Sequence, residues 1–166
     1  MSRGKLATVM FSKASDEWST PRELYDALDL EFRFQWDAAA TRETAKAGGY
    51  RYFGPDHSVA EYRDALSQPW RCSRMEVVER LFCNPPYSRC KDFIAKAAAE
   101  AKHGATTVML IPARTDTRYW HAHIWDDVRH CPRPGVEVRF IKGRLKFGDS
   151  KNSAPFPSAV VVFRAH

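Results

Sequence analysis

No uninterrupted apolar run in this chain is long enough to cross a bilayer, and its first residues lack the apolar core of a secretory signal. The expectation is a soluble, cytoplasmic protein with no membrane partner. Cysteine is sparse: Cys72, Cys83, Cys90 and Cys131 include no C-x-x-C pair, which argues against a zinc ribbon or a disulfide framework. Reduced thiols used for packing are the simpler reading. His121, His123, His130 and Cys131 lie near one another in sequence but without paired-ligand spacing, so no metal is expected. There is also no internal repeat and no composition shift that would mark a second domain.

What is present suits one folded domain. The 166 residues can bury a sizeable core, and a hydrophobic content of 44% with 13% aromatics argues against disorder. A formal charge of +6 and a pI near 9.3 point to a polyanion, nucleic acid above all, although a solvated basic surface gives the same totals.

The most informative stretch is Asn84-Pro85-Pro86-Tyr87, which follows the apolar run Leu81-Phe82-Cys83. Each proline pushes the residue before it away from helical dihedrals, and neither has an N–H. The result is an extended, pre-set loop with free carbonyls. The Asn84 side-chain oxygen beside the Pro85 carbonyl makes a pair of acceptors suited to a planar amino group with two N–H donors. Holding both hydrogens raises electron density on the nitrogen as it attacks an electrophilic methyl, the differential stabilisation that catalysis requires. Tyr87 offers a flat face on which a base can stack. The alternative is a rigid strand-to-helix turn with no chemistry.

Upstream, residues 1–16 read as a mobile or loosely docked arm. Thr20-Pro21-Arg22-Glu23 has the form of a capping box with proline at the first helical position, and Leu24, Ala27 and Leu28 then mark the inward face of a helix ending near Asp29. Phe32 to Asp37 alternates aromatic with polar residues, a strand signal, and runs into Ala38-Ala39-Ala40. An acid at the carboxyl end of a strand, followed by small residues, is where an α/β sheet binds a nucleotide-like cofactor. A solvent-facing Asp ahead of an Ala-rich helix start is the competing reading. Thr41 to Gly54 reads as a short helix breaking into loop, and Ser58 to Glu61 as a capping box opening a helix through Leu66. Within it Asp64 is either a second cofactor contact or an exposed helical acid. Arg71 to Glu79 is a charged segment feeding the Leu81 strand.

Beyond Tyr87, Ser88 can cap a helix whose apolar face is Phe93, Ile94, Ala97, Ala98 and Ala101, closed by Gly104. Thr106 to Ile111 is a near-continuous apolar strand, the pattern of a strand covered on both faces. It delivers Arg114 to a strand's carboxyl end, ahead of a helix around Tyr119, Trp120, His121, Ile124 and Trp125. The last third reads as strands at Val136–Ile141, Leu145–Phe147 and Ala159–Phe163, with a turn at Lys142-Gly143 and a mobile loop from Gly148 to Pro157. Lys142, Arg144 and Lys146, interleaved with Phe140 and Phe147, form either a phosphate contact or a solvated hairpin face.

Strand, helix, strand, helix, strand and a hairpin-like end make an α/β pattern: a single-domain, Rossmann-like sandwich with a reduced sheet. Asp16-Glu17-Trp18-Ser19-Thr20-Pro21, Phe34-x-x-Asp37-Ala38-Ala39, Asp64-Ala65-Leu66 leading to Trp70, Asn84-Pro85-Pro86-Tyr87-Ser88, and Lys142-Gly143-Arg144-Leu145-Lys146-Phe147 follow in this order. In that order the chain, from Asp16 onward, resembles the phage-type, Dam-like DNA adenine-N6 methyltransferases. The resemblance implies a methyltransferase domain over residues 17–166, S-adenosylmethionine as methyl donor, and adenine in double-stranded DNA as acceptor, flipped out of the duplex because its amine is paired and stacked. It implies that Asn84, Pro85, Pro86 and Tyr87 are catalytic. Trp18, Thr20, Pro21, Asp37, Ala38, Ala39 and Asp64 fall toward the cofactor, and Arg89, Lys91, Arg114, Lys142, Arg144 and Lys146 toward DNA.

The chain departs from the wider methyltransferase pattern in two ways. Alanines stand where a Gly-x-Gly would follow the Asp37 strand, and no separate target-recognition domain is evident. Tyr50 to Glu79 and the basic hairpin are the spare surface for reading sequence, so the recognition site is short or shared across a homodimer. Two other functions compete: the same chemistry on RNA or a protein glutamine amide, and a catalytically degenerate DNA-binding module.

Overall fold

The computed structural model describes residues 19–47, 51–70, 79–147 and 152–166. The expected arm at 1–16, Trp18, Cys72, most of the charged Arg71–Glu79 segment and the first part of the Gly148–Pro157 loop lie outside the described residues.

The sheet is built from the apolar runs. Strands β1 (Trp36–Asp37), β2 (Arg80–Cys83) and β3 (Thr106–Pro112) lie side by side and parallel. Strand β7 (Ser158–Phe163) pairs antiparallel with β3, and β6 (Val136–Phe140) antiparallel with β7, so the order is β1-β2-β3-β7-β6. Period-2 alternation sorts these strands onto two cores. Leu81, Cys83, Met109, Ile111, Val161 and Phe163 face one, with helix α2 (Cys90–Ala101) and the short helix α3 (Arg118–His123). Phe82, Val108, Leu110, Val160 and Val162 face the other, with helix α1 (Arg22–Phe32) and Phe147 and Ala154 of the β6–β7 loop. Helices thus cover both faces of a mixed α/β sheet, which explains why β3 and β7 read as continuous apolar runs.

Helix α2 follows its sequence pattern. Phe93, Ile94, Ala97 and Ala101 are buried, Ala98 partly so, and Gly104 at φ +96 lets the chain turn back into β3. It opens at Cys90 behind a single 3₁₀ turn at Tyr87–Arg89 and takes no side-chain cap, in contrast to the cap expected of Ser88.

Several local expectations are corrected. Pro21 occupies the N-cap of α1 with ψ at 132, its carbonyl accepting the Tyr25 N–H, and the helix has no side-chain cap. Thr20 therefore lies before the helix, and the expected capping box does not form. The helix continues past Asp29 because Phe32 buries with Tyr25 and Leu28, whereas Ala27 faces solvent. Arg33 at φ 55 then ends it. The aromatic alternation from Phe32 is thus a helix end and a turn, with Phe34 stacked on Phe32, and only Trp36–Asp37 pairs as strand.

Residues 42–44 form turns in place of a helix, and Ser58 leads into a 3₁₀ turn at Ala60–Arg63 without a side-chain cap. Leu145–Phe147 is not a strand. Burial of Phe147 against the α1 side takes this segment out of the sheet, and Leu145 accepts the Ala154 N–H of the same loop. A ribbon the pattern did not suggest, β4 (Trp125–Asp126) with β5 (Cys131–Pro132), turns on Asp126, whose Oδ1 accepts the Val128 and Arg129 N–H groups. No described helix is long and apolar enough to cross a membrane.

Candidate active site

Strands β1 and β2 end at the same level, since Asp37 pairs with Phe82, and the Ala38 N–H bonds the Phe82 carbonyl. Asp37-Ala38-Ala39 and Asn84-Pro85-Pro86 therefore leave the sheet side by side. Between them opens a cavity of about 310 Å³, within the range of small-ligand sites. Thr20, Asp37, Ala38, Ala39, Asp64, Asn84, Pro86 and Arg89 line it.

Asp37 is 3% exposed and dominates the electrostatics on the β1 side. Burial pushes its carboxyl up to about 7, partly offset by the backbone N–H groups of Ala39 and Lys46 and by the Lys46 charge. A carboxylate held this way favours a ligand that brings cationic or N–H/O–H donor character. Asp64, exposed, accepts the Leu66 N–H through Oδ1 at the cavity rim.

On the β2 side, the Asn84 Nδ2 donates to the Thr20 Oγ1 at 3.1 Å. Cys83 and Cys90 flank the loop as protonated thiols, burial pushing Cys83 well up and Cys90 to about 12. Neither is a nucleophile. Tyr87 faces away from the cavity wall: its ring stands nearly perpendicular to Phe156 at 4.9 Å and to Phe147 at 6.4 Å. The ring expected for base stacking is packed against the β6–β7 loop, and burial raises the phenol's pKa.

The structure does not bring every candidate to the cavity. Pro21 and the buried Pro85 lie behind the lining residues, and Lys91 and Arg114 are exposed outside it. Lys142, Arg144 and Lys146 are exposed on the β6–β7 loop rather than on a hairpin strand. Arg89 reaches the rim and pairs with Asp92 at 3.6 Å.

Sequence reasoning missed part of the wall: Lys46, Phe53, Gly54, Arg63 and Phe93. Gly54 is the most constrained. A Cβ there would meet the Ala40 carbonyl oxygen at 1.7 Å, so only glycine lets the chain pass this close to the Asp37-Ala38-Ala39-Ala40 run. This tight packing of one backbone on another has no local sequence pattern that would mark Gly54. Among the described residues no group of three or more His, Cys, Asp or Glu could hold a metal ion, and His121 is bonded to Asp127 and the Thr115 carbonyl.

The sequence model of a family described as DNA N-6-adenine-methyltransferase (Dam) matches residues 8–164. The chain belongs to this Dam family. It is also similar to a DNA N-6-adenine-methyltransferase of Escherichia phage T1, 28% identical over 106 residues. That alignment takes in 63% of this chain but only 39% of the phage protein, so the chain spans well under two thirds of that relative's length. No solved structure matches the chain. For a Dam-family chain, the two strand ends that meet at the cavity, Asp37 and Asn84, are the segments that the resemblance marks as donor side and acceptor side.

Proposed function

We propose that this protein transfers the methyl group of S-adenosylmethionine to the exocyclic amine of adenine in DNA. The observation that carries the reading is the shared cavity, which has a buried carboxylate at the end of β1 and the Asn84-Pro85-Pro86 loop at the end of β2.

The residues present fit such a methyl donor. Ala38 and Ala39 put only small side chains on the wall, Gly54 lets the 51–55 segment pack directly on Ala40 behind it, and the buried Asp37 carboxylate suits a group with a positive charge and hydrogen-bond donors. When bound, the donor supplies an activated methyl on a sulfonium. The protein's part is orientation: the Asn84 side-chain oxygen would accept an amine hydrogen, and the loop that carries it, with Pro85 packed behind, would keep the nitrogen lone pair directed at the methyl. The amine nitrogen would take the methyl and lose its surplus proton to solvent. Neither cysteine takes part, since both thiols stay protonated.

The strand order supports the finer reading of the fold as a Rossmann-like sandwich with a reduced sheet over residues 17–166, ligands binding at the carboxyl ends of its parallel strands. Lys91 and Arg114 follow β2 and β3, and Lys142, Arg144 and Lys146 follow β6, whose end at Phe140 lies beside Ala159 and so near Ile111. These cations share the cavity's end of the sheet, where they can hold the phosphates of double-stranded DNA.

Incubation with S-adenosylmethionine and unmethylated DNA, followed by nucleoside mass spectrometry, is expected to yield N6-methyladenine with the wild type and none with Asn84→Ala. Absence of product over a wide range of DNA sequences, or equal product on RNA or a glutamine peptide offered side by side, overturns the assignment.

A further inference from the structure

We propose that Thr20 is a positioning residue for the reaction, holding the Asn84 side chain in place at the wall of the cavity. The inference rests on the methyltransferase reading above and assigns Thr20 a role other than binding the methyl donor.

Asn84 serves that chemistry only if its side chain is held at the cavity wall. The Asn84 Nδ2 donates to the Thr20 Oγ1 at 3.1 Å, a contact that restrains where the amide sits. The contact spans 64 residues and is made deliberately by the fold. Thr20 is 5% exposed, and its hydroxyl is released from the helix because Pro21 takes the N-cap of α1. Helix α1 in turn is anchored over β2 by Tyr25, whose ring stands edge-on to Phe82, two residues before Asn84. The partner hydroxyl is thus held from α1 and the amide from β2, and both line the same cavity.

The test compares Thr20→Ser, Thr20→Val and Thr20→Ala in single-turnover methylation at saturating S-adenosylmethionine and DNA, alongside calorimetric affinity for S-adenosylmethionine and a thermal melt. Valine keeps the shape and removes the hydroxyl. The expected result is a methyl-transfer rate roughly ten- to a hundredfold lower in Thr20→Val and Thr20→Ala, as for a buried donor that loses its partner. Thr20→Ser is expected within about threefold of wild type, because it keeps the hydroxyl that accepts the Asn84 N–H. Affinity for S-adenosylmethionine should move by less than about twofold, a few tenths of a kcal/mol. If one apolar variant does not fold, the other carries the comparison. An unchanged rate in the apolar variants, or weakened S-adenosylmethionine binding with the saturated rate intact, overturns the proposal and makes Thr20 structural or a donor-site contact. A wild type that methylates no DNA instead overturns the reading beneath it.

Discussion

The ring of Tyr25 stands edge-on to that of Phe82, with centroids 5.1 Å apart and planes at 86°. This one contact clamps helix α1 to strand β2 just ahead of Asn84. Phe82 is 1% exposed and also meets Phe34 at 5.4 Å, so Phe82→Ala is expected to cost about 3–5 kcal/mol of stability. Denaturant titration measures it, and a loss under 1 kcal/mol would show that α1 is held elsewhere.

Gly54→Ala tests the close approach that shapes the donor side. A methyl group 1.7 Å from the Ala40 carbonyl cannot be accommodated without backbone movement. Overpacking of about 1–3 kcal/mol is expected, with the cavity wall displaced. Thermal melts should fall and calorimetric binding of S-adenosylmethionine should weaken at least tenfold. Wild-type affinity in this variant would remove Gly54 from the site.

Asp37 makes a pH prediction whose sign is definite. Burial raises its carboxyl from 3.8 to about 7, so the unliganded fold favours the protonated form. Its contribution to stability is complete below the ordinary carboxylate range and is lost as pH rises through about 7. A cationic methyl donor favours the carboxylate, so its affinity should rise between pH 6 and 8, with release of up to about one proton on binding at the lower end. Calorimetry in buffers of different ionisation enthalpy reads that proton. Asp37→Asn should flatten the profile, and an unchanged pH dependence in the variant would refute the assignment.

The basic loop makes a salt prediction. Lys142, Arg144 and Lys146 are all exposed, and if each neutralises one phosphate, replacing all three with glutamine lowers the slope of log affinity against log salt by about 2.7. Fluorescence anisotropy on duplex DNA measures it. A slope unchanged within error would return these residues to a solvated surface.

Where a signal was local, the sequence was legible. Helix α2 and strands β2, β3 and β7 could be read because apolar periodicity depends on which faces are covered, and helices on both sides leave continuous runs. The Asn84-Pro85-Pro86 loop could be read because proline dictates its own dihedrals and those of its predecessor. Local signals misled where a distant partner outbid them. Thr20 looked like a helix cap but faces Asn84. Phe32 looked like the start of a strand but buries at the end of a helix, and Leu145–Phe147 looked like a strand but leaves the sheet to bury Phe147 on the α1 side.

By itself, then, the sequence marked two separate strand ends, an acid at Asp37 and a proline-fixed loop at Asn84, because backbone restriction and residue type act within a few positions. Only the tertiary structure decided that these ends share one cavity, that Gly54 packs directly on the Ala40 carbonyl, and that the Thr20 hydroxyl meets the Asn84 amide. Those depend on strand order and helix docking, which bring together residues that no local pattern connects. The loop in which the chemistry was first legible therefore takes its working geometry from segments far from it in the chain.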